Sequence, residues 1–311
     1  MSSGLIIRLK AFLAIVVWGA SFIATKIALR EAHPATIILF RFAFGVTVLW
    51  IAIWRWGLFR WVSGRDLLYL AILGFISVPF HLAIQAAGLL FTTATSMGWI
   101  IALIPVFTAL LAWVFLGEPM TVLKVIGSAI AFFGAVFVVT RGALSLDTFR
   151  LPSTVGDALA VASALNWAVF QVASKPILRR IEPTLAMGWL VLLGGSLSVP
   201  FAALQAVSDL PRLSLDGWLA IAFLGVLCSG VGYLIWYDAL SKVDASQLSS
   251  LSYIQPLVTV VVAALVLGEA ITPPVLLGGA VILLGVYLVN RSPGRREALP
   301  QPESLGKGVE R

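Results

Sequence analysis

The 311-residue chain is 60% apolar and 11% charged, whereas about a quarter of the residues in a water-soluble domain are charged. Such a composition cannot clothe a core in a polar shell, so lipid is the solvent it fits, and no polar stretch is left for a separate soluble domain. The formal charge of +7 is scattered between apolar segments without a basic stripe, which argues against nucleic acid, and the single Cys228 leaves no intrachain disulfide and no cysteine-based metal site.

About twenty apolar residues cross the roughly 30 Å hydrocarbon layer as a helix, and continuous rather than alternating apolar runs predict helices over barrel strands. The first run, 11–29, carries Trp18, Ser21 and Lys26; Arg8 and Lys10 precede it, but its full length and lack of a small-residue cleavage site make it a span rather than a signal peptide. After His33-Pro34 comes 34–54 with Arg41, then 67–91 with His81 and Gln85, then 94–116 with Trp99 and Pro105. Next are 121–140, 155–175 with Asn166, Trp167 and Lys175, and 184–207. The last three are 216–240 with Tyr233, Trp236 and Tyr237, 246–267 with Tyr253, Gln255 and Pro256, and 273–290. The expected fold is thus an all-α polytopic membrane protein of ten transmembrane helices. The tail 292–311, rich in Pro, Gly and charge, is expected to be disordered and cytoplasmic.

Basic residues flanking the spans orient the chain. With both termini inside, fifteen Lys and Arg fall on the cytoplasmic side and four, Arg30, Arg141, Arg150 and Arg212, on the other, while Lys26 and Arg41 lie within spans. A multi-pass protein of the cell's inner membrane with both ends cytoplasmic is expected.

The chain also aligns with itself. At a shift of 151 residues Gly74 pairs with Gly225, Pro105 with Pro256, Leu116-Gly117-Glu118 with Leu267-Gly268-Glu269, Gly127 with Gly278 and Gly134 with Gly285. At a shift of 149, Trp18 and Lys26 pair with Trp167 and Lys175. Residues 1–148 and 149–291 then form two repeats of five helices, and an odd number of spans makes the second inverted relative to the first. Inverted bundles about an axis in the membrane plane open a central site to each side in turn, which is the logic of a transporter.

These landmarks resemble the drug/metabolite transporter superfamily and its EamA-type, five-plus-five members. The resemblance is carried by Trp18-Gly19-Ala20-Ser21-Phe22 with Lys26, by Arg41-Phe42, by Pro105 ahead of Leu116-Gly117-Glu118-Pro119, and by Asn166-Trp167-Ala168, Lys175, Pro256 and Leu267-Gly268-Glu269 in the second half. Within that family the chain is most similar to YddG-type exporters of aromatic and other amino acids, which implies a basket of helices around a central cavity.

Polar and aromatic residues at mid-membrane depth are the candidate substrate-binding set: Trp18, Ser21, His81, Gln85, Trp99, Asn166, Trp167, Tyr233, Tyr237 and Tyr253. They offer stacking faces and neutral hydrogen-bonding groups, suited to an amphipathic solute such as an amino acid; core packing or an interfacial belt is the alternative for the aromatics. Lys26 and Lys175 approach opposite faces, either snorkelling or gating, and Arg41 should face protein or a wet vestibule. Pro105 and Pro256 are candidate symmetric hinges, while Glu118 and Glu269 are read as caps at helix ends. No carboxylate sits at a span centre, no phosphate-binding loop and no catalytic or metal constellation appears, so ATP hydrolysis, enzyme activity and a cofactor are not expected. The expected partners are a small-molecule substrate and the bilayer. Nucleotide sugars, organic phosphates or drug-like cations are the alternative cargo, and a structural or signalling membrane protein the alternative class.

Overall fold

The computed structural model describes residues 3–139, 142, 152–243, 245, 248, 251 and 255–291, and every regular element among them is helical. In chain order these are α1 (Ser3–Ala28), α2 (Pro34–Arg55), α3 (Gly64–Phe91), α4 (Ala94–Leu116), α5 (Val122–Val139), α6 (Pro152–Leu178), α7 (Pro183–Asp209), α8 (Leu215–Lys242), α9 (Gln255–Leu267) and α10 (Pro273–Arg291). Seven of them, α1–α4 and α6–α8, are long and apolar enough to cross a membrane; α5, α9 and α10 supply shorter apolar stretches. The tail 292–311 and Tyr253 lie outside the described residues.

Local chemistry sets the starts and stops. Ser63, Thr93 and Ser214 each turn a side-chain oxygen onto a backbone N–H in the first turn of α3, α4 and α8, and proline opens α2, α6, α7 and α10, where its missing N–H costs nothing. Both Leu-Gly-Glu triplets end a helix because Gly117 (φ 68°) and Gly268 (φ 67°) take the left-handed conformation that closes the last turn. The outward surface is apolar, with Leu204, Leu265, Phe201 and Phe115 all largely exposed, as lipid contact requires. Trp54, Trp56 and Trp61 stand exposed beside Arg55 and Arg60 at one end, the composition of a headgroup-level belt.

Two helices depart from regular α geometry at matching places. In α3 the turns widen to π geometry over Ile76–Phe80, around Pro79, and in α8 over Phe223–Val231. α3 and α8 begin and end 151 residues apart, as do the segments Ile104–Leu116 and Gln255–Leu267. α4 is also interrupted: one segment ends at Ile101 and the next starts at Ile104, which puts Pro105 in the first turn of a new helix rather than inside a continuous one. Pro256 is the second described residue of α9.

The packing is reciprocal between the halves. Gly127 of α5 lies against Gly285 of α10, and Gly134 against Gly278, so the two helices run antiparallel and each glycine of α5 meets the repeat-partner of the other. Gly74 on α3 is so close to α7 that a Cβ there would come within 2.6 Å of the Leu190 carbonyl; Gly225 on α8 stands in the same relation to the Arg41 carbonyl of α2. Without a hydrophobic drive between helices in lipid, such small-residue crossings supply the close backbone contact that holds a bundle together.

Candidate functional site

The widened turns shape the centre of the molecule. Side-chain donors from other helices reach a carbonyl in each widened segment. Asn166 Nδ2 donates to Ile76 O at 2.9 Å, and Trp18 Nε1 donates to Cys228 O at 2.9 Å. Each donor comes from the first helix of the opposite half, α6 or α1. These bonds fix the ring of Trp18 and the flank of Trp167 beside the widened segments.

Between them lies a cavity lined by Trp18, Ser21, Arg41, His81, Gln85 and Trp167, with Tyr233, Gln255, Phe22, Leu82, Ile101 and Ile104 completing it. The Trp18 and Trp167 rings meet edge to face at 6.1 Å, and Tyr233 stands 6.0 Å from Trp18 and 6.2 Å from Trp167. His81 lies 4.7 Å from the Trp167 ring, with Gln85 Nε2 3.5 Å from its Nε2 and Ser163 Oγ 3.5 Å from its Nδ1. Where His81 meets Trp167, the matching position against Trp18 is Gly232, whose missing side chain makes room for the Trp18 indole. The cavity volume is about 50 Å³. That holds a few waters and falls well short of the several hundred Å³ typical of a metabolite pocket.

The remaining expected site residues fall elsewhere. Trp99 is buried with its ring against Gly279 of α10, and Trp236 is buried against Trp18, so neither forms an interfacial belt. Tyr237 packs behind the cavity on Phe170 and Tyr233. Asn166 serves the Ile76 carbonyl rather than the cavity. Arg41, expected to face protein or a wet vestibule, is buried, lines the cavity and donates from Nε to Ser229 Oγ at 2.8 Å. Ser163 and Ser229 were not singled out from sequence; small hydroxyls on buried helix faces carry no distinguishing spacing.

Glu269, just past α9, accepts from the backbone N–H groups of Ala94 (3.1 Å) and Thr95 (3.0 Å) and from the Thr95 hydroxyl (2.6 Å), and lies 3.6 Å from Lys26 Nζ. Glu269, expected as a cap at a helix end, caps the N-terminus of α4 in the other half. Lys175 Nζ donates to the Val243 carbonyl.

A family model described as the EamA-like transporter family matches residues 5–140 and 154–291. The chain belongs to the EamA-like transporter family. An uncharacterized transporter of Archaeoglobus fulgidus is 30% identical over 280 residues, 89% of this chain and 95% of the relative. A probable terminal-alkyne amino-acid exporter of Streptantibioticus cattleyicolor is 29% identical over 291 residues, covering 93% of this chain and 95% of that one. In fold, a protein crystal structure matches with a TM-score of 0.70 at 21% identity, over 91% of this chain and 97% of the other. This EamA protein is therefore a multi-pass membrane transporter of the drug/metabolite superfamily.

Proposed function

We propose that the protein exports amino acids, aromatic and neutral ones first, together with related small metabolites, by alternating access and without ATP. It does so as ten spans arranged in two inverted repeats, 1–148 and 149–291, in the inner membrane with both termini cytoplasmic. The observation that carries this reading is the cavity: two tryptophans from equivalent helices of the two halves, a tyrosine and a histidine, with amide and hydroxyl groups of Gln85, Gln255 and Ser21 between them. Flat apolar faces beside neutral hydrogen-bonding groups match a small amphipathic solute. The amino-acid exporter among the relatives supports the cargo, and the antiparallel reciprocal crossings of α5 with α10 and of α3 and α8 with α7 and α2 support inverted halves.

In this mechanism the cavity opens to one face when the latch of Lys26 and Glu269 parts, and to the other when the Lys175 end parts. The helix break ahead of Pro105 and the widened turns of α3 and α8 give the halves their points of bending. Purified protein in liposomes is expected to give saturable uptake of radiolabelled phenylalanine and leucine, each competing with the other. The absence of saturable flux for all twenty protein amino acids would end the amino-acid reading.

A further inference from the structure

We propose that Arg41 anchors a carboxylate in the cavity, and that the site selects monoanionic carboxylates with an apolar or aromatic body whether or not they carry an α-ammonium group. The inference rests on reading the cavity as the substrate site. Arg41 lies seven residues into α2, about 10 Å from its start by helical rise, and is 7% exposed. A guanidinium at that depth is costly unless something neutralises it, so intramembrane cations mark functional sites by default. Its Nε is held by Ser229 and its carbon stands 5.7 Å from the Phe42 ring centre, but among the described residues no carboxylate pairs with it and none lines the cavity. Ser229 thus fixes the fork from behind and leaves the terminal amino groups for whatever enters.

The repeat separates this role from packing. Arg41 corresponds to Leu190 at the shift of 149, and the two residues offer the same backbone carbonyl to the same kind of glycine, Gly225 and Gly74. Leucine satisfies that crossing in one half, so the crossing does not need the guanidinium in the other. The architecture repeats while the charge does not. A carboxylate suits one fixed planar fork, which it meets with two parallel hydrogen bonds. A phosphate dianion wants a second cation, yet Lys26 is engaged with Glu269 at the cavity's end. An α-ammonium group finds only the ring faces of Trp18, Trp167 and Tyr233 and the amide oxygens of Gln85 and Gln255, so it is tolerated and not demanded.

The test is a titration of the purified full-length protein in detergent, read by tryptophan fluorescence, with 3-phenylpropionate, 3-phenylpropionamide and phenyl phosphate. The acid is expected to bind about tenfold tighter than the amide, and Arg41→Gln to erase the difference by weakening the acid alone, with Arg41→Lys keeping part of it. Equal binding of acid and amide, no binding of either, tighter binding of phenyl phosphate, or an acid preference that survives in Arg41→Gln would each overturn the proposal. The wild-type comparison decides by itself if Arg41→Gln does not fold. Liposome flux separates this claim from the export reading: amino-acid flux inhibited equally by phenylalanine and phenylalaninamide leaves export standing and removes the role of Arg41. An acid preference without any amino-acid flux does the reverse.

Discussion

Trp167 makes contacts of two kinds, ring packing on His81, Trp18, Tyr233 and Phe170 and a face toward the cavity. Its replacement by Ala should raise the KM of phenylalanine uptake by two- to tenfold, the equivalent of about 0.5 to 1.5 kcal/mol of aromatic contact, with protein yield retained; liposome uptake measures it. Glu269 is a second test at this scale. Burial pushes its carboxyl up, but the Thr95 hydroxyl, the Thr95 and Ala94 amides and the Lys26 charge outweigh that and hold it below its ordinary range. A carboxylate held low stabilises the latched state at pH values above its ordinary pKa, and that contribution is lost as pH falls through the depressed value. In a Cys228→Ser background, Ser21→Cys should therefore be alkylated from the Glu269 side faster when Glu269→Gln is added, and the ratio of the two rates should approach one as the pH is lowered. A ratio of one at neutral pH would rule out the latch. Sequence made Trp18, Ser21, His81, Gln85, Trp167 and Tyr233 visible as cavity candidates because polar or aromatic side chains stand out against an apolar run. It misplaced Trp99 and Tyr237, whose depth is the same but whose azimuth around the helix depends on neighbours that periodicity in a uniformly apolar helix does not reveal.

Among the elements, length and hydropathy located several helices to within a few residues, 67–91 becoming Gly64–Phe91 and 216–240 becoming Leu215–Lys242, whereas the first helix starts at Ser3 rather than 11. Length and hydropathy do not set the widened turns or the break after Ile101; in both widened segments a side chain from another helix, Asn166 or Trp18, bonds a backbone carbonyl. Removing such a donor with Asn166→Leu is expected to cost about 0.6 to 1.7 kcal/mol, seen as a lower melting temperature in detergent. The crossing of α5 and α10 makes a sharper prediction. A Cβ on Gly127 would meet the Gly285 backbone, and one on Gly134 the Gly278 backbone, neither of which can yield. Gly127→Leu and Gly278→Leu should destabilise the protein to a similar extent, by about 1 to 3 kcal/mol each, since they occupy equivalent places in the two halves. Strongly unequal effects in thermal melts would count against reciprocal packing.

At the scale of the molecule, the repeat organises the frame and the departures from it supply the chemistry. Trp18 and Trp167 are shared, whereas His81 stands opposite Gly232 and Arg41 opposite Leu190 across the two halves. The orientation expected from basic flanks places the Glu269 latch outside and Lys175 inside. The account's central claim is that one closed cavity opens in turn to each side of the membrane. Trans-stimulation tests it most directly: liposomes preloaded with unlabelled phenylalanine are expected to take up labelled phenylalanine several-fold faster than empty ones, because the loaded carrier returns faster than the empty one. Flux that is linear in concentration and indifferent to the internal load would contradict it.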